Sequence, residues 1–351
     1  MNRPYPHTHQ SRPLATHAGR YSGTASRRPP SKPANRRPAR RKSKKRSGCA
    51  LPVFLVIVGL LIAAYLIWGR NLFSPGVKIY PTRIKNSREL QEPAKLYSKS
   101  VVLLDAASGE LLYDVDAHTR RPPASLTKMM TVLVALETRP NLDQVVHVDT
   151  ASYQRMVAAD SSLAGFYGEE PVTVRDLLYG TMLPSGGEAA STLAICTAGS
   201  EEAFVRRMNE KAKELKMKDT QFTNPTGLDD HRQYSTAYDL AVLVREAVQN
   251  PDFRTIFTAP TYTSSATLNH PEGISFNNSI LRAMGDQLSM PPGVRIIGGK
   301  AGYTKMAGRC WASLATKNNR EYVIITLDSP EEQLEPLGQK VDTEALSRLI
   351  P

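Results

Sequence analysis

The chain has 351 residues with 41% hydrophobic content, enough for at least one large core, and a formal net charge of +12. Of its 45 Lys and Arg, 14 lie in residues 1–48, which hold no acid, so the remaining 31 nearly balance 33 Asp and Glu. The basic excess belongs to a tail, and charge offers no support for nucleic-acid binding by the folded part.

Residues 1–48 are rich in Pro, Arg, Ser and Lys and are expected to be disordered. Next to a membrane span, such a tail acts as a topology signal and anionic-lipid contact rather than as a nucleic-acid binder. Residues 49–69, "CALPVFLVIVGLLIAAYLIWG", carry no charge over 21 positions. At about 1.5 Å per residue they reach across a bilayer core of roughly 30 Å. Tyr65 and Trp68 lie near one end, where amphipathic rings favour the interface. The long n-region and the lack of a small-residue cleavage site favour a retained anchor over a signal peptide. The twenty residues before the span hold 9 basic residues and the twenty after it hold 5, which places the N-terminus in the cytoplasm and the rest outside. Arg46, three residues before Cys49, argues against a lipoprotein signal.

Residues 70–94 read as a polar juxtamembrane linker, and residues 95–351 as one folded domain. "SVVLLDAASGELLYDVDA" shows two apolar strands around a Gly-containing turn. A helix follows from Leu126 to Leu136, apolar nearly all round and ended by Pro140. Residues 172–258 look helical, and Thr173 with Asp176 and Thr236 with Asp239 both fit the capping-box spacing. Strand patterns return in "VRIIGGKAGYT", "CWASLAT" and "EYVIITLDS", the last two joined by "KNNR", and "TEALSRLI" closes the chain as a helix. Strands first and last with helices between them imply an α/β (α+β) domain: an antiparallel sheet built from both ends of the sequence, with a helical subdomain. Cys196 and Cys310 fall in apolar segments and are expected as buried thiols, with a disulfide between them left open. The seven histidines are scattered and no C-x-x-C or H-E-x-x-H occurs, so no metal site and no cofactor is implied.

The chemistry lies in "RPPASLTKMMT". Burial lowers the proton affinity of an unpaired lysine and favours its neutral amine. Lys128 stands three residues after Ser125, on the same helix face, where a neutral amine can take the hydroxyl proton. Ser125 opens the helix, where unpaired N–H groups favour developing negative charge. A lone S-x-x-K is a weak signal in a chain of this length.

Three segments in order strengthen it. "YDVDAHTRRPPASLTKMMT", "VTVRDLLYGTMLPSGGEAA" and "GGKAGYTKMAG", with "FTNPTGLDDHRQYSTAYDLA" between the last two, resemble the low-molecular-mass penicillin-binding serine D-Ala-D-Ala carboxypeptidases over roughly residues 94–330. The resemblance implies a serine β-lactamase-like fold and an acyl-enzyme on Ser125, with Lys128 as base. Ser185 would relay a proton to the leaving D-Ala. Lys300 would attract the substrate carboxylate and help hold Ser185. The N–H groups of Ser125 and Tyr303 would bind the oxyanion, and Gly302, Tyr303, Thr304 and position 187 would line the substrate site. The implied partners are peptidoglycan stem peptides ending in D-Ala-D-Ala, and β-lactam antibiotics as covalent inhibitors. The N-terminal span would replace the family's C-terminal anchor and hold the domain outside a bacterial cell membrane.

The chain departs from that pattern. Position 187 is Gly where the family usually has Asn, so Gly187→Asn is expected to raise turnover. Position 301 is Ala where Thr is expected, and no basic residue lies between Arg320 and Lys340, where the family often has an arginine. These changes concern substrate grip and motivate one alternative, an impaired protein of the same fold that binds stem peptide or a wall-synthesis partner. Glu188 reads as first-turn helix decoration. A β-lactamase is a lesser alternative, because residues 188–299 hold no E-x-x-L-N.

Overall fold

A hairpin opens the described part of the chain, with β1 at Ser100–Asp105 and β2 at Leu111–Val115. The computed structural model describes residues 95–138, 141–287, 289–331 and 337–351. The expected tail (1–48), span (49–69) and linker (70–94) lie outside the described residues. Among the described residues, no helix is long and apolar enough to cross a membrane.

Three long strands close the domain: β7 (Arg295–Thr304), β8 (Gly308–Lys317) and β9 (Arg320–Ser329). With the first hairpin they form a five-stranded antiparallel sheet in the order β2-β1-β9-β8-β7. The two ends of the domain therefore meet along β1 and β9, as the strand–helix–strand order implies. The β8–β9 connection is tight because Asn318 and Asn319 both adopt positive φ, 51° and 60°. Asn tolerates that conformation, and two such residues in succession match the twist of a hairpin.

The sheet is covered on both faces, which explains why its strands read as unbroken apolar runs. Val102, Leu104, Val323 and Ile325 face one core, while Val101, Leu103, Tyr322 and Ile324 face the other. The first core is shared with α1 (Thr127–Thr138), entered through a 3-10 turn at Ala124–Leu126. Ten successive residues of α1, Thr127 to Leu136, are buried, so this helix is central and needs no polar face. Around it stand α2 (Thr150–Ala158), α3 (Val174–Met182), α4 (Gly187–Ala198), α5 (Glu201–Glu214), α6 (Ala237–Ala247) and α7 (Pro251–Thr258). The second core is closed by α8 (Ser279–Met284) and α9 (Gly338–Ser347), with Leu346 and Ile350 packed beneath the sheet. Two short hairpins complete the described elements: β3 (Val145–His147) with β4 (Pro171–Thr173), and β5 (Thr261–Thr263) with β6 (Ser275–Asn277).

Thr173 and Asp176 form a complete capping box at the start of α3. Thr236 caps α6 through the Asp239 N–H, but the Asp239 carboxylate turns away to Asp219 N and Thr220 Oγ1, so that box is half-formed. The last helix begins at Gly338, five residues before the "TEALSRLI" pattern, because Asp342 is drawn inward by the Tyr97 and Ser98 N–H groups at 2.9 and 2.7 Å. Cys196 and Cys310 are not joined in a disulfide; Cys310 is buried as expected, whereas Cys196 is only partly so and its Sγ donates to the Leu193 carbonyl.

Candidate active site

The approach to Ser125 is pinned before the helix starts. Arg121 donates from Nε to Ser100 Oγ and from Nη1 to Asp328 Oδ2, both at 2.7 Å, tying the segment to two sheet strands. Ala124 then takes φ +48°, a left-handed conformation that costs an alanine on the order of 1–2 kcal/mol. Two glycines hold it there. A Cβ on Gly227 would lie 2.0 Å from the Ala124 carbonyl oxygen, and one on Gly302 would lie 2.9 Å from the Ser125 nitrogen. The β7 strand and the 224–228 loop therefore press on the nucleophile from two sides, and only bare backbone fits.

Lys128 is 1% exposed, and its Nζ lies 3.0 Å from Ser125 Oγ. It also donates to the Thr226 carbonyl at 2.6 Å. That carbonyl is placed by Asn224, whose Oδ1 accepts from Thr226 N, Thr226 Oγ1 and Gly227 N at 3.1, 2.9 and 2.7 Å. Gln233 braces the same loop by accepting from Thr223 N at 3.0 Å and donating to the Leu228 carbonyl at 3.2 Å. Burial pulls the Lys128 amine down from its ordinary value to about 7, with the charge of Glu188 acting in the opposite direction. A group poised there is suited to take and return a proton at neutral pH.

Lys300 is wholly buried on β7. Burial, then the charge of Lys128, pushes it well below the ordinary lysine range. Its Nζ donates to the Ala301 carbonyl at 2.6 Å, whereas the Ser185 Oγ is buried with no hydrogen-bond partner. The expected Lys300–Ser185 hydrogen bond is thus not made. Ser185 sits at φ +70° in the corner between α3 and α4.

The substrate edge departs further from expectation. Gly187 is the first residue of α4, and a Cβ there would lie 2.7 Å from Met156 Sδ and 2.9 Å from Ser161 Oγ. The room for a side chain is already filled by α2 and the segment after it, so Gly187→Asn is not a simple restoration. Thr304 Oγ1 accepts from Ala307 N at 3.1 Å and shapes the β7–β8 turn. Tyr303 is 40% exposed, with the Arg309 guanidinium 5.4 Å from its ring centroid. A hydrogen bond to Glu331 raises the Tyr303 hydroxyl above its ordinary value.

Glu188 is not surface decoration. It is fully buried, and its Oε1 accepts from Ala164 N and Gly165 N at 2.7 and 2.9 Å. Nothing in the local pattern marks it, because its partners lie more than twenty residues earlier. The Asn224–Gln233 brace was equally hidden, although "TNPTG" signals a turn.

A buried lysine against a serine at a helix entrance, beside an outer strand with a second buried lysine, defines a Ser-x-x-Lys protein on an α/β/α fold. The family profile described as D-alanyl-D-alanine carboxypeptidase matches residues 86–331, and the chain belongs to that family. It is 32% identical to the D-alanyl-D-alanine carboxypeptidase DacF of Bacillus subtilis, over 74% of this chain and 64% of that protein. It is 35% identical to DacB2 of Mycobacterium tuberculosis, over 64% of this chain and 72% of that protein. Among solved structures, the DD-transpeptidase of Streptomyces K15 superposes with a TM-score of 0.64 at 29% identity, covering 73% of this chain and 98% of that one. The chain spans slightly under two thirds of the Bacillus relative's length and 59% of the Escherichia coli DacD protein.

Proposed function

We propose that the protein is a serine D,D-carboxypeptidase that removes the terminal D-alanine from peptidoglycan stem peptides. One observation carries the reading: a buried lysine amine, lowered to about 7, lies 3.0 Å from a serine oxygen. Ser125 Oγ attacks the carbonyl carbon of the penultimate D-alanine as its proton passes to Lys128 Nζ. The carbonyl oxygen takes up negative charge facing the Ser125 and Tyr303 N–H groups; loss of one such donor typically costs about 3 kcal/mol. The C–N bond then breaks, and the leaving amine receives the proton through Ser185 Oγ, a hydroxyl with no other partner to give up. Water hydrolyses the ester and restores Ser125. Burial and Lys128 oppose the charge on Lys300, and an arriving carboxylate restores it, so Lys300 serves as the substrate anchor. A β-lactam carbonyl in the same position would acylate Ser125.

The membrane reading rests on the uncharged run at 49–69 and the basic tail before it. These support a single N-terminal span with the enzyme on the outer face, within reach of the wall. Protease added to intact spheroplasts should remove residues 95–351 and spare the tail; protection of the domain would reverse that topology.

The test of activity uses the full-length chain with a fluorescent penicillin and a peptide ending in D-Ala-D-Ala. A lasting adduct lost in Ser125→Ala, together with released D-alanine, supports the proposal. Rapid penicillin turnover would make it a β-lactamase. No adduct and no release from folded protein would leave a binding protein.

A further inference from the structure

The loop that braces Lys128 goes on to place an acid at the rim of the site. Asn224 Nδ2 and Gln233 Nε2 both donate to the Leu228 carbonyl, at 3.1 and 3.2 Å. Two residues on, the Asp230 carboxylate accepts from Arg232 N and pairs with the Arg232 guanidinium, both at 2.8 Å. Asp229 stands between these two fixed points and two residues after Gly227, which touches the backbone of Ala124. Its backbone is thus held in register with the nucleophile, while the residue itself is exposed. Arg232 is spent on Asp230 and Arg309 lies over the Tyr303 ring. Among the described residues, neither they nor Lys305 forms an ion pair with Asp229.

The β7–β8 turn meets this acid. Asp229 Oδ2 accepts from Met306 N at 3.5 Å, the long limit of a hydrogen bond. Met306 is 41% exposed, and with the exposed Tyr303 it leaves apolar surface on the rim beside the carboxylate. The Tyr303 hydroxyl is raised first by its bond to Glu331, and the charge of Asp229 adds in the same direction.

The direction of the substrate follows from Lys300 and Tyr303. β7 is the outermost strand of its sheet. With the terminal carboxylate at Lys300 and the scissile carbonyl at the Tyr303 N–H, the peptide runs along β7 from its C-terminus toward the turn. An extended chain advances about 3.3 Å per residue. The residue before the penultimate D-alanine, third in the stem, therefore comes level with Thr304–Met306, beside Asp229.

We propose that this rim selects the third residue of the stem peptide and takes a side chain with an aliphatic stem and a free terminal amine. The methylenes lie on Met306 and Tyr303, and the ammonium meets Asp229. The proposal deepens the carboxypeptidase reading above and rests on it. Because the carboxylate is exposed, the pair sets preference rather than chemistry, and a contact of this kind is worth at most about fivefold in kcat/KM.

The experiment compares two peptides on the full-length chain, Nα-acetyl-L-Lys-D-Ala-D-Ala and its Nε-acetyl derivative, by release of D-alanine. Wild type should favour the free amine about three- to fivefold, through KM, and rising salt should erase the preference. Asp229→Asn should bring the two peptides to nearly equal kcat/KM, whereas Asp229→Glu keeps the charge and should keep most of the preference. Equal rates in wild type, or a preference that survives in folded Asp229→Asn, overturn the proposal and leave the carboxypeptidase intact. If the Asn variant does not fold, the wild-type ratio across salt decides: a preference that fades supports the proposal, and one that salt does not move overturns it. Penicillin acylation involves no third residue and keeps the two readings apart. No D-alanine from either peptide, with or without a penicillin adduct, defeats the carboxypeptidase reading and this proposal with it.

Discussion

The two sides of the site are built to different standards. The nucleophile corner is over-determined: a left-handed alanine, two bare glycines, an Asn–Gln braced loop and an arginine tied to two strands converge on Ser125 and Lys128. The substrate edge is sparse. Position 187 has no side chain, position 301 is Ala, and Thr304 is turned to its own hairpin. The difference separates two functions that are easily confused, making a nucleophile and gripping a ligand. The first tolerates no looseness, because a displacement of about 1 Å at the reacting atoms can cost on the order of a hundredfold. The second can be weakened one hydrogen bond at a time.

The largest effect expected from breaking this contrast is at the nucleophile. Ser125→Ala should abolish the penicillin adduct and reduce D-alanine release about ten-thousand-fold, measured by gel fluorescence and a coupled D-alanine assay. Next is its support. Gly227→Ala puts a Cβ where the Ala124 carbonyl already is, at φ +83°, and should destabilise the fold by about 3 kcal/mol in thermal melts. Acylation should fall in the same variant even below its melting point.

On the sparse side the effects are smaller and can change sign. Gly187→Asn should lower kcat/KM about tenfold, because Met156 and Ser161 must move, and Met156→Ala in the same chain should recover most of the loss. An increase in the single variant would mean those side chains yield freely. Ala301→Thr adds a hydroxyl beside the carboxylate anchor and should lower KM a few-fold with kcat unchanged.

The same contrast governs how much could be read from the chain alone. The sheet was legible because its strands are apolar runs bounded by turn residues, and "KNNR" announces its own turn. Ser125 and Lys128 were legible because three residues on a helix are one turn apart. The elements that escaped depend on distant partners: α2 and the β5–β6 hairpin, short and half-polar; Glu188, whose amides lie on another segment; and the Thr226 carbonyl, a backbone atom with no side-chain signature. Asp342 extends the last helix for the same reason, since its partners, Tyr97 and Ser98, stand at the opposite end of the domain. Local pattern reveals elements; the polar groups that hold them in register are chosen by tertiary packing.

The central claim is that Lys128 is a free amine near neutral pH. Since its proton affinity is lowered to about 7, the acylation rate should rise with pH through about 7 and then level, as the free base replaces the ammonium. Pre-steady-state acylation of the wild-type chain by a fluorescent penicillin between pH 5 and 10 measures this directly. A single rise centred near 7 is the expected result. A rate still climbing toward the ordinary lysine value of about 10.4, or flat throughout, would contradict the account.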